Sequence, residues 1–148
     1  MPVTDEQEAT LHAQLAGRFG EHERLLAALD PVAARTGYNA LVMAAFALAA
    51  DRRFPDGTTE ADVITWVGDI RSRTEGAAAA INPRLAERLI LAFLAVEEPA
   101  DIDPRTRFQT RLLLLAGLIA DEDPDPEGLG RFMARARKLA DEWLSRPG

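Results

Sequence analysis

The stretch Tyr38–Ala50, YNALVMAAFALAA, decides the fold. All eleven residues from Ala40 to Ala50 are apolar, and no charge interrupts the chain between Arg35 and Asp51. A helix that is apolar on every side belongs in a protein core or in a bilayer. The fifteen uncharged residues fall short of the ~20 that a span requires, so the stretch predicts a helix buried among other helices and no passage through a membrane. Ala40, Ala44 and Ala47 form a stripe of small residues that lets a neighbouring helix approach toward the near end of the ~8–10 Å range.

Working outward, helix starts are marked by caps. A Ser, Thr, Asp or Asn N-cap accepts from otherwise unpaired backbone N–H groups, and a proline after it loses nothing because its N–H would be unpaired anyway. That pairing occurs at Asp30-Pro31, Asn82-Pro83, Asp103-Pro104 and Asp125-Pro126. Thr4 with Gln7, and Thr59 with Asp62, have the spacing of capping boxes. Six starts predict about six helices, and no stretch alternates with period two, so no sheet is expected. The fold class is therefore all-α, a single-domain bundle over residues 1–148.

Three of these helices are expected to be central and largely buried. The Asn82 helix turns from charged to apolar as LILAFLAV (Leu89–Val96), and the Asp103 helix does the same as LLLLAGLIA (Leu112–Ala120). Both resemble the opening stretch in lacking a polar face. The remaining helices are amphipathic cover. In the last one, Leu129, Phe132, Met133, Ala136, Leu139, Ala140, Trp143 and Leu144 share a stripe, with Arg131, Arg135 and Lys138 opposite. Residues 1–29 read as an amphipathic arm that packs on the body or on a second copy. Its seam of His12, Leu15, Phe19, His22, Leu26 and Leu29 is coiled-coil-like, although Gly17 and Gly20 weaken it as one helix. Gly37 marks a kink in the second helix, and EGAAAA (Glu75–Ala80) reads as a connector or a frayed helical end.

Composition narrows the function. A net charge of −7 opposes general phosphate binding. A helix-turn-helix reading of the Trp66 and Asn82 helices fails because the intervening turn is too long and the second helix too apolar to enter a groove. No nucleic-acid partner is expected. Absence of cysteine removes disulfides and thiolate ligands and suits the cytoplasm, and the acidic start MPVTDEQE does not read as a secretory signal. Ser72 and Ser145 are the only serines, and neither lies in a nucleophile-elbow setting. No residue set argues for catalysis or for a bound cofactor.

Four carboxylates raise the question of a metal. Asp121, Asp123 and Asp125 alternate as in a calcium loop, but Pro126 and Phe132 occupy the positions that need glycine and glutamate. Asp51 and Asp121 each follow an alanine at the end of an apolar run, where a carboxylate opposes the helix dipole and calls for a partner. These two Ala-Asp turns are similar to those of the tellurite-resistance TerB-like helical domains, in which an apolar helix runs into Ala-Asp-Gly. Arg52 and Glu122 stand at the glycine positions here, and the resemblance covers two short turns, so it implies neither an activity nor a ligand.

The sequence accordingly favours a helical protein–protein interaction or accessory domain, self-associating as a homodimer or other homo-oligomer. One alternative is a small-ligand-binding helical domain of a regulator. Its pocket would be lined by Met43, Phe46, Trp66 and Phe93, with Tyr38 at the mouth. Another is a metal-dependent helical protein using Asp51, Asp121 and Asp123.

Overall fold

Each of the six predicted caps opens a helix. Thr4 and Thr59 accept from the backbone N–H groups of Gln7 and Asp62, whose side chains return the bond, and the side chains of Asp30, Asn82, Asp103 and Asp125 accept from N–H groups two or three residues on. The computed structural model describes residues 2–146. Among them the chain is all-helical, with eight helices where the sequence predicts six. In order they are α1 (Asp5–Leu15), α2 (Phe19–Ala28), α3 (Pro31–Arg53), α4 (Glu60–Ser72), α5 (Glu75–Ala80), α6 (Pro83–Leu94), α7 (Pro104–Glu122) and α8 (Pro126–Ser145).

Two departures explain the higher count. The amphipathic arm breaks at Gly17, whose φ of 80° is a left-handed conformation that glycine adopts without steric cost. α2 then folds back against α1, which ends the continuous seam. α1 buries Gln7, Thr10, Leu11 and Ala13 against the body, not His12 and Leu15. The second departure is Glu75–Ala80, which is helical because Thr74 caps it and Arg71 donates to the carbonyls of Ala78 and Ile81 at its far end.

α3 is continuous for 23 residues and runs through Gly37 without a break. That glycine serves contact instead: a Cβ there would lie 2.4 Å from the Gln7 side-chain oxygen. At this length α3 is one helix long and apolar enough to cross a membrane by length and composition. In the fold it packs against α1, α7 and α8, burying Tyr38, Leu41, Val42, Ala44, Ala45, Phe46, Ala49 and Ala50. Each large side chain among these contributes roughly 1.5–3 kcal/mol of transfer free energy.

α3 and α7 lie side by side in the same direction. Near their starts the rings of Tyr38 and Phe108 are 5.9 Å apart, and at their ends Arg52 donates to Glu122 at 3.0 Å. Arg52 and Glu122 are 70 residues apart in sequence, and Tyr38 and Phe108 have the same separation. The two residues that replace glycine in the Ala-Asp turns therefore pair with each other. The third central helix is not α6. Only Ala86, Leu89 and Ile90 of α6 are buried, and α8 takes the place against α3. Phe93 and Leu94 are half-buried at the edge of the core, where they line a cavity.

Candidate functional site

That cavity is the feature of the structure best suited to chemistry with another molecule. It is a partly open cavity of about 550 Å³, within the ~300–1,000 Å³ typical of small-molecule sites. α3 supplies Met43, Phe46, Ala47 and Asp51, and the loop after it supplies Phe54 and Asp56. α6 contributes Phe93 and Leu94, and the following loop contributes Val96, Glu97 and Glu98. Arg111 of α7 and Trp143 of α8 complete the wall. Phe46 and Phe93 meet edge to face with centroids 5.8 Å apart, which fixes two of the aromatic walls relative to each other.

The polar side is built with one charge neutralised and others left open. Arg111 is 9% exposed and donates to Glu98 at 2.8 Å, while Arg107 lies 3.4 Å from the same carboxylate and donates to the carbonyl of Pro99. Glu98 thus anchors the α6–α7 loop to α7 and consumes the one cation in the lining. Among the described residues Asp51, Asp56 and Glu97 take part in no ion pair. Asp51 does not terminate α3, which continues through Arg52 and Arg53.

The rim also carries the clearest backbone anomaly. α6 ends with the Val96 N–H bonded to the carbonyl of Phe93 and the Glu97 N–H bonded to that of Ala92, the paired bonds of a Schellman ending. The left-handed residue in that motif is ordinarily glycine. Here it is Val96, at φ 55° and 93% exposed. A β-branched residue in this region is held at a cost of about 1–2 kcal/mol, and here it also leaves an apolar side chain in water beside the cavity.

Of the five residues expected to line a pocket, Met43, Phe46 and Phe93 come together in this cavity. Tyr38 and Trp66 do not. Tyr38 is buried, packs on Phe108 and shares a hydrogen bond with His22 at 3.2 Å. Burial pushes its hydroxyl well above its ordinary pKa. Trp66 lies behind Phe54, with ring centroids 5.5 Å apart, and its indole N–H donates to Asp121 at 2.8 Å. Sequence reasoning missed Leu94, Val96, Glu97 and Trp143. The signal was present in an apolar run that continues past the α6 C-terminus straight into two glutamates.

The carboxylates considered for a metal are dispersed. Asp121 accepts from Trp66 and Arg73, Asp123 is the left-handed C-cap of α7, and Asp51 faces the cavity. Among the described residues no group of three His, Cys, Asp or Glu side chains gathers as a metal site. A second cleft of about 430 Å³ holds Arg52, Arg131 and Arg135, but Glu122 pairs with the first and Glu127 with the second. A comparison with protein-family models finds no match, and comparisons with curated proteins and with solved structures find none that is significant.

Proposed function

We propose that this chain is a small-ligand-binding helical domain whose site is the cavity between α3, α6, α7 and α8. The observation that carries the reading is the cavity itself: aromatic and aliphatic walls, a few charged groups among the lining residues, and dimensions suited to a small organic molecule. The half-buried apolar face of α6 supports it, since a helix of that composition would otherwise be expected to find a packed neighbour. Its two tryptophans give the test. Titration with a neutral apolar dye is expected to quench Trp143, which lines the cavity, in a saturable manner, and to leave Trp66 unaffected. Trp143→Phe then abolishes the signal and Trp66→Phe preserves it. Ala47→Phe, which fills the cavity from α3, is expected to abolish binding while circular dichroism stays unchanged. Binding that survives Ala47→Phe would sink the proposal.

A second reading rests on α2. Its only buried residue is His22, and Phe19 and Leu26 on the same helix are 58% and 41% exposed, with Val32 at 74% just beyond. Exposed large apolar groups of this kind favour an interaction or accessory domain that self-associates through α2. Light scattering is expected to show a dimer that Phe19→Glu with Leu26→Glu dissociates. A monomer at high concentration would refute self-association. For either reading the acidic, cysteine-free composition suits the cytoplasm.

A further inference from the structure

We infer that the ligand of this cavity is an amphiphilic organic cation, an apolar or aromatic body carrying an ammonium group. The inference rests on the cavity being a ligand site and adds the chemical class. Four carboxylates and one guanidinium line the space. The guanidinium of Arg111 is committed to Glu98, which Arg107 also approaches, so no lining cation is left for an anionic ligand. Such a ligand would instead confront Asp51, Asp56 and Glu97. Arg52 and Arg53 do not line the cavity: Arg53 lies over the ring of Phe54, and both arginines line a neighbouring cleft that Asp56 shares.

Two helix ends reinforce the sign. Asp51 lies in the last turn of α3, and Phe93 and Leu94 close α6. Both helices therefore end beside this region, where the negative end of a helix dipole favours a cation. The walls suit the same ligand. Phe46, Phe93 and Trp143 place aromatic rings in the lining, groups of the kind that attract an ammonium, and Met43 and Leu94 add aliphatic surface for an apolar body. A bare divalent ion is a poorer fit, because the described residues gather no three-ligand set. The cationic head would sit at Asp51, Asp56 and Glu97, and the body would lie along Phe46 and Phe93.

The test uses matched probes on the full chain, each below its micelle concentration: decyltrimethylammonium, decanol and decanoate, read by Trp143 fluorescence and calorimetry. The cation is expected to bind about tenfold more tightly than the alcohol, and the carboxylate most weakly. Raising NaCl from about 0.02 M to about 0.5 M should weaken the cation alone. Asp51→Asn combined with Glu97→Gln is expected to remove most of the tenfold preference while leaving decanol binding intact. Both side chains are exposed, and unchanged thermal unfolding would verify the fold of the variant. If decanol binds as tightly as the cation, the inference fails and the cavity reading stands. If none of the three binds, the cavity reading fails as well. Calcium binding that the same double variant abolishes would overturn the organic-cation assignment in favour of a metal.

Discussion

Gly37 and Gln7 form a contact in which neither residue is replaceable alone. Gln7 accepts from the Thr4 N–H at 3.1 Å, donates to the carbonyl of Ala33 at 3.4 Å, and occupies the space a Cβ on Gly37 would fill. Alanine at position 37 gains ~1 kcal/mol of helix propensity but displaces a buried amide from two hydrogen bonds, each worth ~0.5–1.5 kcal/mol, with a further penalty for leaving a partner unpaired. Gly37→Ala is therefore expected to destabilise by about 1 kcal/mol in urea unfolding, and in a Gln7→Ala background the same change is expected to stabilise. Equal effects in both backgrounds would show that the two residues are not coupled. Val96 presents the opposite case. Val96→Gly relieves a left-handed valine, offset in part by the greater freedom of glycine in the unfolded chain, and is expected to raise stability by about 1 kcal/mol. If Val96 also lends its side chain to a ligand, the stabilised variant binds decyltrimethylammonium less tightly, and calorimetry checks this directly.

Among the helices, α2 is held by a single buried side chain. Its docking onto the body relies on His22 and the hydrogen bond to Tyr38. Desolvation lowers the pKa of His22 below its ordinary 6.5, with the neighbouring Glu23 carboxylate opposing the shift. The folded state thus binds the proton less readily than the unfolded chain. The stabilisation is fully present above about pH 6.5 and is lost as pH falls through the lowered folded-state value. Protection factors of α2 amides, corrected for intrinsic exchange, are expected to fall with pH below that point while those of α3 hold, and His22→Gln should flatten the dependence. The helix starts were legible because capping is local: Asp30, Asn82, Asp103 and Asp125 need only the next few residues to act. The breaks and partners were less so. Arg18 makes no side-chain cap at the start of α2, and the face α1 buries carries Gln7 and Thr10, which an apolar pattern does not count. The cavity was half legible. Met43, Phe46 and Phe93 stood out as large residues on apolar helices, but only the tertiary fold brings Asp51 and Glu97 beside them.

Over the whole molecule, the first helix is fastened to the last. The Val3 N–H donates to Asp141 at 2.7 Å, and Arg137 donates both to the carbonyl of Val3 and to Asp5. Val3 itself is buried in the same core cluster as Ala136 and Ala140. Arg137→Ala removes charge-assisted bonds at a partly exposed site and is expected to cost about 1–2 kcal/mol. Because α1, α3, α7 and α8 share one core, the loss should appear as a single shifted transition, with fluorescence and circular dichroism coincident. Separate transitions would instead indicate that α1 melts alone.

The parallel pairing of α3 with α7 also sets an order of events on the ribosome. Glu122 is made 70 residues after its partner Arg52, an interval of roughly 4–14 s at ordinary elongation rates of about 5–20 residues per second. Until then the Tyr38–Ala50 segment has α1 beside it but not the completed α7, and the α8 side chains that pack on it are made later still. A segment almost sealed from water in the native protein therefore spends its first seconds as the most adhesive part of the nascent chain, a natural substrate for chaperones that bind apolar segments during translation.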